Sequence, residues 1–325
     1  MSKESSAPGS ALAESAGSAA GTLYFPSTAA YDRFSMSKSP PKPAARPRVI
    51  ALGAGRKSSI AEGAERFRDL VAAHAEIVVW DLAFEVDLGD VDADWAIVFG
   101  GDGSILRAAH QMGRKQRPML GVNLGKLGFL ADLAPTDLPA VLPQLCAGEF
   151  HVREHLMLEC TLVRQGREVW TDVALNEASV LGGPPFVILD VELYVDAEWV
   201  TTYSCDGLIV STPVGSTAHN LSAGGPILRK DLRAVVISPI SPHALTMRPV
   251  VDSAERTFEL LVPSPNVGTH VIVDGRDKGT LQPGDRLRIQ RAESKCLLIE
   301  APGHSYYRTL RDKLGWSGSF MPHNR

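Results

Sequence analysis

The sequence predicts an open α/β domain followed by a β-rich one, and three observations carry that expectation. Between residues 47 and 148, short apolar runs alternate with helical apolar spacing across glycine turns, the pattern of a mainly parallel sheet. After Gly148 the runs alternate in the manner of strands, separated by Gly and Pro turns, with few helical patterns between them. Residues 306–314 then return to amphipathic helical spacing, and this last helix is expected to pack back on the first domain.

Taken in order, residues 1–46 are dominated by Ser, Ala, Pro and Gly and cannot bury enough surface to offset their ordering entropy, so a disordered extension is expected. This stretch lacks the continuous apolar core of a secretory signal, and Glu4, Glu14 and Asp32 weigh against a transit peptide. Residues 48–52 read as a strand, with Gly53 and Gly55 turning the chain. One helix is expected over 59–74, with Ile60, Ala64, Phe67, Leu70 and Val71 on a single face. Ser58 stands where a dinucleotide fingerprint needs its third glycine, and the neighbouring GRKSS run lacks the Gly-Lys pair of a P-loop. Strands follow at 76–82, 95–99 and 118–122, and a helix at 136–145 despite Pro139 and Pro143. In the second half, strands are expected at 156–164, 168–175, 187–195, 198–203, 207–211, 234–237, 257–262, 270–274 and 286–290.

Bulk properties bound the function. A chain of 325 residues, 44% hydrophobic and 22% charged, has the make-up of a soluble protein of about two domains. Its net charge of -4 offers no general basic field, so no nucleic-acid partner is expected. No apolar run approaches the ~20 residues of a membrane helix, so no membrane partner is expected either. Cys146, Cys160, Cys205 and Cys296 are scattered, as suits reduced thiols of a cytoplasmic protein.

The chemistry points to residues 95–110, WAIVFGGDGSILRAAH. A buried strand meets Gly100, Gly101, Asp102 and Gly103, and Ser104 is expected to cap the helix that follows. Strand, glycine turn and helix start leave backbone N–H groups facing an anion, with one carboxylate, Asp102, at the tip. The plainer alternative is an Asp that only caps the helix. A second glycine-rich loop follows the next strand at 123–130, NLGKLGFL. Asn176 and Glu177 set an amide beside a carboxylate, suited to hydroxyl recognition on a sugar, or simply to a turn. Residues 203–226 are dense in Gly, Ser and Thr, which lets a flat ligand lie against backbone and hydroxyl donors. The run His151-Val152-Arg153-Glu154-His155 matches H-x-x-E-H, but it leads into a β pattern rather than the helix zinc chemistry needs, so no protein-bound metal is expected. No G-x-S-x-G elbow supports a serine hydrolase.

Taken together, these segments make residues 48–316 resemble the NAD kinases. The resemblance rests on Gly100-Gly101-Asp102-Gly103, on GVNLGKLGFL at 121–130, on Asn176-Glu177, on 206–211 with 212–225, and on KLGW at 313–316, in that order and spacing. It implies a nucleotide-binding domain over 47–148, with 305–325 packing against it, and a dinucleotide-binding domain over 149–304. It implies transfer of the ATP γ-phosphoryl group to the 2′-hydroxyl of the adenosine ribose of NAD, giving NADP, with Mg²⁺ carried by ATP. By that match Asp102 is the catalytic base and Gly103 lies beside the substrate. Asn176, Glu177, Asp206, Thr217, Ala218, His219, Asn220, Leu221 and Ser222 contact the dinucleotide, and Arg107 is placed for phosphate contact. The family usually carries Tyr at the position of His219, Arg in many bacterial members at Ser204, and often an amide at Arg276. It also implies a homo-oligomer, dimer or tetramer. Two other readings stand beside it. A lipid or sphingoid kinase shares the GGDG turn but gives no reason for the hydroxyl-rich loop. A non-catalytic NAD(P) sensor would bind the dinucleotide without consuming ATP.

Overall fold

Branched and aromatic residues build a four-stranded parallel core in the order β2-β1-β3-β4, from β1 (Arg48–Gly53), β2 (Glu76–Asp81), β3 (Trp95–Phe99) and β4 (Met119–Val122). The structure is a computed structural model that describes residues 46–53, 58–125, 128–300 and 305–316, all within the unit Ser37–Arg325. Residues 1–45, where a disordered extension is expected, and residues 54–57, where a turn is expected, lie outside the described residues. Every residue of β3 and β4 is buried, as a parallel sheet covered on both faces requires. Along β3, Trp95, Ile97 and Phe99 join the core under α1 (Ser58–Glu65), α2 (Arg68–His74) and α4 (Leu138–Cys146). Ala96 and Val98 face the other way, against Ile105, Ala108 and Ala109 of α3 (Asp102–Met112). That second cluster also takes in Met157, Leu175 and Val214, so the second half of the chain completes the core of the first.

The helix expected over 59–74 is two helices. The break at Arg66-Phe67 sets the Phe67 ring on Phe99, with centroids 5.9 Å apart and planes 11° from parallel. The cap expected at Ser104 falls instead on Gly101: the helix starts at Asp102, and Ser104 is buried in its first turn.

Beyond residue 150 the strands pair with one another antiparallel. The parallel sheet continues through β16 (Arg286–Ile299), which meets β4 in parallel at Leu298–Met119 and pairs along its length with β5 (Val152–Arg164). Outward from there lie β13 (Phe258–Leu261), β8 (Leu189–Val195) and β9 (Glu198–Cys205), while β6 (Arg167–Ala174) pairs with β5. A second sheet runs β12 (Val250–Ser253), β11 (Ala234–Ile240), β10 (Gly207–Ser211), β7 (Glu177–Leu181), β14 (His270–Val273) and β15 (Arg276–Thr280). The two sheets share a core that includes Leu158, Val180, Val210, Ile237, Leu260 and Ile289. Periodicity missed β7, β12 and β15; the last, RDKGT, carries no large apolar residue and is an edge strand. The final helix, α6 (Tyr306–Leu314), forms where expected, capped by Ser305 and ended by Gly315 at φ +66°. It sits on the seam of the two halves. Its Lys313 ammonium lies 5.5 Å from the Phe129 ring centre, and its Tyr306 hydroxyl donates to the Leu228 carbonyl at 3.1 Å. Among the described residues no helix is long and apolar enough to cross a membrane.

Candidate functional site

At the end of β3, Gly100 turns the chain at φ +137°, and α3 begins with Asp102. A Cβ added at Gly101 or Gly103 would meet nothing within 4 Å, so the space over the helix start is open. This open space lies at the N-terminal end of an eleven-residue helix, the end that favours an anion.

The Asp102 side chain turns to the loop after β4. Its Oδ1 accepts from the Leu130 N–H at 2.8 Å and the Ala131 N–H at 3.2 Å, and its Oδ2 from the Phe129 N–H at 2.8 Å. The second glycine-rich loop thus serves as the holder of this carboxylate. Gly128 is essential to the fit, since a Cβ there would sit 2.1 Å from Oδ1. Oδ2, with one protein donor against two on Oδ1, keeps the larger capacity to accept another proton.

The Asn176-Glu177 corner is clamped by a residue that sequence reasoning passed over. Asp274, its side chain wholly buried, accepts from the N–H groups of Leu175, Asn176 and Glu177 at 2.7, 2.8 and 2.9 Å. Its Oδ2 also receives His110 Nε2 at 2.9 Å, which ties the corner to the last turn of the helix that begins with Asp102. Asp172 lies 3.6 Å from His110 Nδ1, and Arg276 reaches the same edge of the ring. Burial opposes a charge on His110 and Arg276 adds to that opposition. The Asp172 and Asp274 carboxylates outweigh both and raise its pKa above 6.5. Asp172 is half-buried, which raises its pKa, yet His110, Lys278 and Arg276 hold its carboxyl well below the usual carboxylate range. Glu177 is different: burial first, then the charge of Asp274, pushes its pKa up to about 8. Its Oε2 is buried without a hydrogen-bond partner within the protein. A carboxyl kept neutral near physiological pH can donate as well as accept.

The hydroxyl-rich turn packs directly on this corner. Thr212 donates its N–H to the Asn176 carbonyl at 2.8 Å and its hydroxyl to the Leu175 carbonyl at 2.6 Å. A Cβ at Gly215 would lie 2.2 Å from the Asn176 oxygen, so only glycine allows the approach. Thr217 closes a short 3-10 turn with its hydroxyl on the Val214 carbonyl. Ala218 and Leu221 are partly exposed and His219 and Ser222 exposed, which leaves both polar side chains open to a ligand. Asn220 is fully buried and its amide is spent: it donates to the Ser216 and Pro226 carbonyls and accepts from Ser238. Its part is to shape the turn.

Two of the expected residues stand apart. Asp206 precedes β10, whereas Glu177 pairs with Ser211 at that strand's other end, roughly 15 Å away at the usual rise per strand residue. Arg107 is exposed, with its guanidinium 5.8 Å from the Phe84 ring centre. In the H-x-x-E-H run, residues 152–155 lie in β5, so the helix that zinc chemistry needs does not form. His155 is buried with an unpartnered Nδ1, and burial, then Lys230 and Arg153, holds its pKa near 3. His110, Asp172, Asp274 and Lys230 carried no sequence signal of their own. Their roles come from partners as much as 164 residues away, as with His110 and Asp274.

Comparison with known proteins agrees with this geometry. Residues 46–150 match the family model described as the ATP-NAD kinase N-terminal domain, and residues 175–301 match the ATP-NAD kinase C-terminal domain. An NAD kinase of Rhodopirellula baltica is 54% identical over 272 residues, covering 84% of this chain and 88% of that protein. One from Tolumonas auensis is 41% identical over 238 residues, 73% of this chain and 81% of the relative. The crystal structure of an NAD kinase from Archaeoglobus fulgidus in complex with ATP aligns at TM-score 0.64 and 27% identity, over 82% of this chain and 98% of that one. Yeast NADH kinase complexed with NADH shares the fold at TM-score 0.77 and 20% identity, over 86% of this chain and 90% of that one.

Proposed function

The chain belongs to the NAD kinase family, and from that premise we propose that it makes NADP by phosphorylating the 2′-hydroxyl of the adenosine ribose of NAD with ATP, Asp102 being the group that takes the proton. The 2′-oxygen bonds to the γ-phosphorus, the bond from that phosphorus to the β-phosphate oxygen breaks, ADP leaves, and the proton passes to Asp102 Oδ2. Phosphoryl transfer asks mainly for positioning and charge stabilisation. The open start of α3 at Gly101, Asp102 and Gly103 receives the phosphates. Mg²⁺ would enter on the triphosphate, where it would neutralise phosphate charge.

Asn176 and Glu177 hold the acceptor nucleoside, with Glu177 Oε2 buried and unpartnered within that corner. Thr217, Ala218, His219, Leu221 and Ser222 form its other wall, and Asn220 contributes by shaping that wall. The two halves described by residues 47–148 and 149–304 act as the nucleotide and dinucleotide domains. Asp206 lies on the exposed end of the second sheet beside His243, and it joins a site only in a homo-oligomer that brings it to a second copy. The enzyme works in the cytoplasm.

The observation that carries this reading is a carboxylate held by three backbone N–H groups beside the open space at a helix start. The test is Asp102→Asn. It should bind NAD with little change while losing about 10²- to 10⁴-fold in turnover. Wild-type NADP formation by that variant, in a coupled assay, removes Asp102 from the chemistry.

A further inference from the structure

The loop that holds Asp102 is itself held from behind. Lys230, on the segment between the hydroxyl-rich turn and β11, donates its ammonium to the Phe129 carbonyl oxygen. The next N–H along the chain, that of Leu130, donates to Asp102 Oδ1 at 2.8 Å. In a trans peptide the carbonyl and the following N–H point in opposite directions. One peptide unit therefore stands between a cation and an anion with its dipole aligned to both. Hydrogen bonds in series polarise one another, and the effect is greatest out of water.

We infer that Lys230 is a positioning residue for phosphoryl transfer: its charge, passed through the Phe129–Leu130 peptide, strengthens the Leu130 N–H bond to Asp102 and so fixes the aim of that carboxylate at the reacting hydroxyl. The inference rests on the reading of Asp102 as the proton acceptor. Lys230 lies against a cavity of about 240 Å³ beneath α6, lined also by Asp132, Arg153, His155, Asp231 and Glu300. The other charges there are largely matched. Arg153 pairs with Glu300, and Asp231 with Arg229. His155 is held neutral by burial and by the Lys230 and Arg153 charges. Asp132 and Asp102 are the acids whose charges bear most on Lys230, and they offset part of the burial that lowers its pKa. Lys230 thus donates directly to the backbone of the loop that presents Asp102, whereas Lys313 lies over the Phe129 ring.

The test separates charge from scaffold. Lys230→Gln keeps a donor for the Phe129 carbonyl and drops the charge, Lys230→Met drops both, and Lys230→Arg keeps the charge. The readout is kcat and KM for NAD on the full chain, with Tm measured alongside. In the Gln and Met variants kcat should fall about three- to thirtyfold while KM for NAD changes by less than threefold. The Arg variant should keep the wild-type kcat. An unchanged kcat in Lys230→Gln, even with a lowered Tm, reduces Lys230 to scaffold and overturns the inference. So does a lowered kcat in Lys230→Arg, which settles the matter if the uncharged variants do not fold. Asp102→Asn tells the two failures apart. An active Asp102→Asn sinks the acceptor reading, whereas an inactive one beside an unchanged Lys230→Gln kcat sinks only the role of Lys230.

Discussion

Gly128→Ala is the sharpest test of how the site is built. The added methyl would lie 2.1 Å from Asp102 Oδ1 and 2.9 Å from its carboxyl carbon. Ordinary contact between such atoms is about 3.5 Å, so one side must give by roughly 1 Å. The loop cannot yield cheaply, because Phe129, Leu130 and Ala131 N–H are all committed to this carboxylate. The carboxylate therefore turns away, and some of those three bonds lengthen or break. A displacement of that size costs about 10²-fold in rate when the group is the one that meets the reacting oxygen. Each N–H left without its acceptor costs about 1–3 kcal/mol of stability where water cannot replace it. The prediction is a kcat about a hundredfold lower, a KM for NAD changed by less than threefold, and a Tm lower by several degrees, from a coupled NADP assay and calorimetry. A folded Gly128→Ala chain with wild-type kcat would refute the claim that Asp102 must be held where this loop holds it.

Other outcomes follow from the same geometry. His110→Gln should raise the KM for NAD and lower the Tm by several degrees, because it cuts the tie between α3 and the Asn176 corner. Since the folded pKa of His110 lies above 6.5, its stabilising contribution is full below about pH 6.5 and is lost as pH rises through the raised value. The stability difference between wild type and His110→Gln should shrink over that window, and a constant difference counts against a charged His110. For Glu177, whose pKa is raised from 4.5 to about 8, stability is present below pH 4.5 and declines as pH climbs to about 8. Glu177→Gln should therefore match wild type near pH 5 and exceed its Tm above pH 8; a lower Tm at pH 8.5 contradicts the buried neutral carboxyl. Asn220→Ala loses three internal hydrogen bonds and should cost about 2–4 kcal/mol in denaturant unfolding. Asp206→Ala should leave the unfolding midpoint unchanged while lowering activity only if light scattering shows an oligomer.

Much of this was legible in the sequence because it is local. The glycine turn at 100–103 follows an apolar run, and both make sense within ten residues of each other. The switch from helical to alternating spacing near Gly148 marked the change of architecture for the same reason. What stayed hidden is long-range. NLGKLGFL reads as another phosphate-type loop, and nothing in it announces that its N–H groups grip a side chain 27 to 29 residues earlier. Asp274 reads as the end of a strand before a Gly turn, although its carboxylate organises residues nearly a hundred positions away. Ser104 looked like the cap because hydroxyl residues favour that position. The backbone put Gly101 there instead, which moved Asp102 into the first helical turn.

One strand has a mechanical consequence. β16 is hydrogen-bonded to β4 on one side and to β5 and β13 elsewhere along its fourteen residues, so a single backbone rivets the parallel half to the antiparallel half. Met157, Leu175 and Val214 seal the rivet from below by filling the hollow under α3. Such a body keeps one apolar interior common to both halves, so severing the chain near residue 150 should leave two fragments with bared apolar faces rather than two usable halves.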